Sequence, residues 1–350
     1  MSSLLAFQTK GSPGGTSVGN ELTLRPDAAE MLEVLLGLIR SASDRIWLEV
    51  YIFESDQIGK AVTAELVTAA RRGCEVVVLI DGWGGRKFPS KARRHLVDAG
   101  VSVAFYNPVW FLRKRGRRIA SGLHRDHRKI MVIDDVAFVG GRNISEEYLG
   151  DRPTFQDLSL QIRGPAVRDI ATLFVSDWLS ATGEEISLPA SAPQFSGGIE
   201  VSVIELDQRQ GYPDLDLTIR NTLSRTKENC RIVTPYFVPP QWFLDEIFAA
   251  LDRGVEVQIL TAGRSDVPMA RSAGRHLYDR LLQRGARVYE LKGIVLHAKS
   301  ITFDDSLCVV GSYNIDAYGS RHNLEVGVAA SSTSLVRALN HQLDAALGQS

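Results

Sequence analysis

The sequence predicts an α/β fold made of two copies of one structural unit. Three observations carry this. Strand-like and helix-like segments alternate, three segments recur later in the same order, and a short polar motif closes each copy.

The elements follow in order. Residues 1–25, rich in Gly, Ser and Thr, read as an irregular start. A helix is expected from Pro26 to about Ala42, with Pro near its first turn. A strand follows at Ile46–Phe53, then a helix at Gly59–Arg72 stopped by Gly73, and a strand at Glu75–Ile80. A helix at Lys91–Ala99 stops at Gly100 and leads into a strand at Val101–Tyr106. This alternation implies parallel pairing. TPYFVP at 234–239 resembles EVYIFE at 49–54, AALDRGVEVQIL at 249–260 resembles TAARRGCEVVVLI at 68–80, and RLLQRGARVYEL at 280–291 resembles HLVDAGVSVAFY at 95–106. Residues 183–198 lack helical or strand periodicity and read as a linker between a first half, 26–182, and a second, 199–350.

Composition narrows the function class. Apolar residues make up 44% and charged residues 23% of the 350, which excludes a disordered or fibrous chain. The net charge of −1 excludes a polycation built for nucleic acid. Charge is uneven, however: residues 113–129 hold eight basic side chains against Asp126 alone. Cys74, Cys230 and Cys308 are far apart in apolar runs, so neither a disulfide framework nor a thiolate metal site is expected, and a reducing, cytoplasmic setting fits. No secretory signal is read at the N-terminus. The longest apolar stretch, Met31–Ile39, contains Glu33 and is shorter than the ~20 residues of a membrane span, so membrane contact is expected to be peripheral.

The chemistry recurs in register with the repeat. LHRDHRKIMVIDDVAFVGGRN at 123–143 and VLHAKSITFDDSLCVVGSYN at 295–314 both read H-x-K-x4-D followed by G-[GS]-x-N. The members are His127, Lys129, Asp134, Gly140, Gly141 and Asn143, then His297, Lys299, Asp304, Gly311, Ser312 and Asn314. One such H-x-K-x4-D arises by chance on the order of once in a hundred chains of this kind, and two in register are a strong signal. In a strand, His and Lys two apart share a face. Asp134, an odd number of residues from His127, points away or sits at the strand end, so Asp134 and Asp304 read as structural anchors. The glycines allow a close turn that returns each Asn to the site.

The doubled motif resembles that of the phospholipase D superfamily. The flanks HRKIMVID, GGRNISEEY, TPYFVPP and the Phe155–Trp178 stretch with Gly164-Pro165 resemble its bacterial cardiolipin synthase branch, over about residues 20–330. One departure is that Tyr318 and Gly319 stand where the branch carries Arg-Ser. The resemblance implies two pseudo-symmetric lobes, each a mostly parallel or mixed sheet flanked by helices, with one active site at their interface. It implies a phosphohistidine mechanism in which one neutral imidazole attacks phosphorus and the other, protonated, releases the alcohol. His127 is read as the nucleophile and His297 as the acid, the exchange of roles being left open by the symmetry. Lys129, Lys299, Asn143 and Asn314 would hold the phosphoryl oxygens, with no metal and no cofactor required. Asp157 and Glu325 match the carboxylates that the family places after each Asn to orient the histidines. The expected activity is phosphatidyl transfer between glycerophospholipids, phosphatidylglycerol above all. The alternatives are hydrolysis to phosphatidic acid and a phosphodiesterase acting on nucleic acid.

Other motifs carry less. Gly15–Gly19 matches G-x-S-x-G but lacks the strand-to-helix setting of a nucleophile elbow and reads as a flexible loop. His124, Asp126 and His127 could suggest zinc, but three or four converging ligands are needed, His127 already belongs to the doubled motif and the sequence offers no second cluster, so no metal site is expected. An insertion of about fifteen residues before the first motif sets Trp110 and Phe111 beside Arg113, Lys114 and Arg115. It reads as a contact for substrate or for an anionic membrane surface, a solvated basic loop and a single-strand groove being the other readings.

Overall fold

The computed structural model describes residues 8–108, 124–152 and 154–348. The first lobe contributes strands β1 (Gly15–Arg25), β2 (Arg45–Val50), β3 (Glu75–Asp81), β4 (Ser102–Tyr106), β5 (Arg125–Asp126), β6 (Ile130–Ile133), β7 (Val136–Gly140), β8 (Phe155–Gln156) and β9 (Ser159–Arg163). The second contributes β10 (Ile199–Leu206), β11 (Asn229–Val233), β12 (Glu256–Ala262), β13 (Arg287–Leu291), β14 (Val295–Leu296), β15 (Ser300–Phe303), β16 (Leu307–Gly311) and β17 (Asn323–Ser331).

One sheet runs through both lobes in the order β4-β3-β2-β6-β7-β9-β1-β10-β17-β16-β15-β11-β12-β13. The order reads alike from either end, with β2 equivalent to β11, β6 to β15 and β9 to β17, so a pseudo-twofold axis passes between β1 and β10. Those two strands pair antiparallel, as such an axis demands. The outer strands β2-β3-β4 and β11-β12-β13 are parallel, and the inner ones are antiparallel.

The helices are α1 (Ala28–Ser41), α2 (Gln57–Arg71), α3 (Ser90–Asp98), α4 (Glu146–Leu149), α5 (Ala166–Thr182), α6 (Asp214–Arg225), α7 (Gln241–Asp252), α8 (Pro268–Arg275), α9 (Tyr278–Gln283), α10 (Gly319–His322) and α11 (Thr333–Leu347). α1 begins two residues after Pro26, because the Asp27 carboxylate accepts from Glu30 N at 2.8 Å and caps it. It buries Met31, Leu35 and Ile39, spaced four residues apart, against the first-lobe sheet. Each wholly buried side chain of this kind is worth roughly 1.5–3 kcal/mol. α6 and α7 cover the second lobe in the same way. α5 and α11 belong to a core shared by both lobes, where Trp47 stacks on Phe174 at 5.2 Å.

Residues 15–25 correct the expectation of an irregular, loop-like start. They form β1, the strand that joins the lobes, paired to β9 on one side and β10 on the other. The segment lacks an apolar run, so the partner strands rather than its own propensity define it. Gly19, at φ +85°, allows the break in pairing between Ser17 and Asn20. Wholly buried Asn20 bridges that break, donating to Ser17 O and Ile199 O and accepting from Ala166 N at the start of α5.

The three cysteines are buried and free. Among the described residues no helix is long and apolar enough to cross a membrane. Residues 183–198 carry no helix or strand. Trp110, Phe111, Arg113, Lys114 and Arg115 lie outside the described residues.

Candidate active site at the seam between the lobes

Two short ladders bring the repeated motifs together. β5 pairs parallel to the start of β17, with Asn323 opposite Arg125 and Leu324 opposite Asp126. β14 pairs parallel to β8, with Val295 opposite Phe155 and Leu296 opposite Gln156. One residue further along each ladder, His127 meets Glu325 and His297 meets Asp157. His127 N donates to Leu324 O at 3.0 Å, and His297 N to Gln156 O at 2.8 Å. β6 and β15 begin only after Lys129 and Lys299, so each His-x-Lys lies in the extended lead-in to its strand rather than within it.

The histidine–carboxylate pairs are therefore crossed between lobes. His127 Nδ1 lies 2.9 and 3.1 Å from the Glu325 oxygens, and His297 Nδ1 lies 2.6 Å from Asp157 Oδ2. A carboxylate at Nδ1 accepts that proton and leaves Nε2 of each ring for chemistry. Glu325 is steadied by Ser312 Oγ and by Asn323 Nδ2 at 3.1 Å. Asp157 accepts from Leu158 N at 2.7 Å, and Arg142 holds its backbone carbonyl at 2.6 Å. The Gly140-Gly141 and Gly311-Ser312 pairs differ for this reason. A Cβ on Gly141 would collide with the Asp157 carboxylate, whereas Ser312 uses its side chain to hold the longer Glu325.

Both imidazoles are held neutral. Burial, and then Lys299, push His297 down to about 4 against the pull of Asp157. His127 is also lowered, chiefly by burial, with Glu325 opposing. Burial lowers Lys129 to about 7 and Lys299 to about 8. Burial alone would raise Asp157, but Lys299 and His297 outweigh it and keep that carboxyl below its ordinary range. Neutral histidines above two lysines whose charge burial opposes form a pocket that an arriving anion would favour in its protonated state.

A cavity of about 940 Å³ opens over the pair. His127, His297, Asn143 and Asn314 line it, with Tyr51 and Tyr148 beside the rings, but neither lysine reaches its wall. Lys129 Nζ bonds the His127 carbonyl at 2.6 Å, and Lys299 Nζ bonds the His297 carbonyl. The lysines thus underlie the site as charge rather than as wall. Asn143 accepts from Ile52 N at 3.0 Å, and buried Asn314 has no partner for Oδ1.

Asp134 and Asp304 lie away from the cavity. Each has a left-handed backbone, φ +47° and +46°. Asp134 accepts from the backbone N–H groups of Ser43, Asp44 and Arg45, and Asp304 from those of Lys227, Glu228 and Asn229. Each carboxylate ties the turn after the motif strand to the loop entering β2 or β11.

Sequence reasoning missed two groups. Tyr148 stacks on Phe155 at 4.6 Å, and both rings meet His297 edge-on, at 5.1 and 5.4 Å. The Tyr148 hydroxyl lies 3.4 Å from His297 Nε2, and on the other side the Tyr51 ring meets His127 edge-on at 5.2 Å. The second group is Arg128, wholly buried between His127 and Lys129 but facing the other way. It pairs with Asp177 of α5 and with Glu205 of β10 at 2.7 Å, and its Nε donates to Glu325 O at 3.2 Å. Glu49 and Asp126, buried beside it, are pushed up by desolvation first, Glu49 then by Asp126 and Asp126 by Asp177. An arginine between two motif residues, flanked by Asp126, was the available signal.

A family model described as "Cardiolipin synthase, PLD-like domain" matches residues 35–178 and 219–347. The chain belongs to this PLD-like family. It is 32% identical over 333 residues to a protein named cardiolipin synthase from Alkalihalophilus pseudofirmus, covering 92% of this chain and 65% of that one. It is 31% identical over 315 residues to the major cardiolipin synthase ClsA of Bacillus subtilis, covering 88% and 64%. It is 30% identical over 332 residues to cardiolipin synthase B of Salmonella typhi, covering 90% and 77%. The chain thus spans just under two thirds of the first two relatives. Among solved structures, phosphatidylserine synthase from Haemophilus influenzae Rd KW20 superposes with a TM-score of 0.68 at 18% identity, covering 94% of this chain and 85% of that one, which establishes a shared fold.

Proposed function

We propose that this PLD-like chain is a phosphatidyltransferase of the cardiolipin synthase kind. The single observation that carries the reading is the crossed pair of His–carboxylate dyads facing one cavity, over two buried lysines. The names of the relatives agree with it.

His127 Nε2 attacks the phosphorus of a phosphatidylglycerol, and a phosphorus–nitrogen bond forms as the bond to the glycerol headgroup breaks. The departing alkoxide takes a proton from His297 Nε2, whose Nδ1–H stays with Asp157. The headgroup hydroxyl of a second phosphatidylglycerol then returns its proton to His297 and displaces His127. The products are cardiolipin and glycerol. The empty site holds both rings neutral, so an arriving phosphodiester anion supplies the charge that lets His297 take up its proton. Asn143 and Asn314 donate to the non-bridging oxygens, and Lys129 and Lys299 provide the field beneath them. The Tyr148 hydroxyl beside His297 Nε2 supports His297 as the proton-transfer partner.

The deciding experiment is mass spectrometry of lipids after incubation with phosphatidylglycerol vesicles and EDTA. Cardiolipin and glycerol support transfer without a metal. Phosphatidic acid would keep the dyads but make water the acceptor. No lipid product would overturn the reading.

A further inference from the structure

We propose that the cavity mouth is a lip that seats on an anionic phospholipid surface, formed by Trp83, Val267, Met269 and Tyr318 with Arg86, Arg264 and Arg321 around them. The inference rests on the phospholipid reading of the site and names the surface by which the site reaches its substrate.

Nine large apolar side chains stand exposed among the described residues, and four of them line this one mouth: Trp83 at 49%, Val267 at 42%, Met269 at 84% and Tyr318 at 51%. Isolated exposed apolar residues are ordinary, but a group gathered at the rim of a cavity is not. The fold explains the gathering. Trp83 begins the turn after β3, and Val267 begins α8 after β12. β3 and β12 are equivalent under the pseudo-twofold, so the segments that carry Trp83 and Val267 leave corresponding strands of the two lobes.

Charge selects the occupant. Arg86, Arg264 and Arg321 are exposed and stand three residues from Trp83, Val267 and Tyr318 respectively. The Arg86 guanidinium lies 5.1 Å over the Trp83 ring. Two acids share the cavity lining: Asp266 is engaged by the Tyr236 hydroxyl at 2.6 and 2.8 Å, and Asp316 accepts from Gly319 N at 2.6 Å. Indole and aliphatic groups bordered by arginine suit the headgroup layer of an anionic bilayer, where the apolar part enters and the cation remains among the phosphates. Val238, Ala270, Ala273 and Ala317 add further apolar groups to the lining of the same cavity. A diacyl lipid can therefore present its phosphate to the site while its chains stay in the bilayer.

The test compares wild type with Trp83→Ser/Met269→Ser and with Leu282→Ser, an exposed apolar residue on α9 away from the mouth. Two readouts are used: co-sedimentation with 1:1 dioleoyl-phosphatidylglycerol/dioleoyl-phosphatidylcholine vesicles, and turnover of phosphatidylglycerol in vesicles against monomeric dihexanoyl-phosphatidylglycerol. The lip predicts that the double variant loses vesicle binding at least tenfold. It also predicts that turnover on vesicles falls at least tenfold more than turnover on monomers, and that Leu282→Ser matches wild type. Unchanged vesicle binding, equal losses on monomers and vesicles, or a wild-type dimer that the double variant splits on light scattering would each overturn the lip. A wild type that binds vesicles through the lip but turns over neither lipid form would overturn the transfer reading and uphold the lip.

Discussion

Glu325 holds His127 from the opposite lobe, 198 residues away in sequence, through a ladder only two residue pairs long. Its equivalent, Asp157 on His297, crosses the seam in the other direction. A lobe by itself has a histidine without its carboxylate and a carboxylate without its histidine.

The proposed roles separate on leaving-group chemistry. His127→Ala and His297→Ala should each lower turnover of phosphatidylglycerol by about 10³-fold or more while the variants still fold, as checked by circular dichroism and as for other paired acid–base and nucleophile sites. A phosphatidyl ester of p-nitrophenol needs no acid for its departure. It should restore the release step in His297→Ala, measured as a burst of p-nitrophenol, and not in His127→Ala. Acid-labile phosphorus trapped on His297 instead would reverse the assignment.

The crossed pairing predicts which carboxylate variant behaves like which histidine variant. Asp157→Asn should resemble the His297 defect, with release rescued by the activated leaving group. Glu325→Gln should resemble the His127 defect, with no rescue. Each should cost on the order of 10²–10⁴ in turnover, since the amide favours the wrong tautomer. The opposite pattern of rescue would break the link between ladder register and role.

Stability should fall in acid through the histidines. Folded His297 titrates at about 4, below the ~6.5 of an unfolded histidine. Between those values the unfolded chain binds a proton that the folded chain refuses. The stabilisation is therefore complete above about pH 6.5 and is lost as pH falls toward 4. The loss is about 2–4 kcal/mol for a depression of this size, and lowered His127 adds to it in the same direction. Urea unfolding at pH 7, 6, 5 and 4.5 should show the slope, and His297→Gln should flatten it. A variant as acid-sensitive as wild type would remove His297 from the account.

Arg128→Met should destabilise the fold by about 3–5 kcal/mol, because Asp177 and Glu205 are left buried without their cation. Adding Asp177→Asn and Glu205→Gln should recover part of that loss. Chemical denaturation of the single and triple variants measures both effects. No loss in the single variant would mean that the carboxyls simply take up protons.

The repeat and the doubled motif were legible because both are periodic in sequence. His127, Lys129 and Asn143 meet His297, Lys299 and Asn314 at one place, and the alternation around Glu75–Ile80 and Val101–Tyr106 corresponds to parallel strands. What escaped depends on long-range pairing. β1 lacks an apolar run and becomes a strand only when β9 and β10, more than 130 residues later, supply its partners. The crossing of Asp157 and Glu325 needs the register of β5 on β17 and of β14 on β8, and two-residue strands have no periodicity to read. Tyr148 lies in a quoted flank but gains meaning only when the seam brings His297 beneath it. Arg128 alternates with the motif residues, so its burial against α5 and β10 depends on the layer behind the sheet.

The pseudo-twofold has a consequence for divergence. A symmetric dimer of one half would be bound to two identical dyads, because any change in its sequence appears twice. A single chain escapes that constraint. Here one dyad uses aspartate packed against Gly141, and the other uses glutamate held by Ser312. Continuous covalent linkage lets the two positions drift apart one at a time, so nucleophile and proton donor can be refined independently.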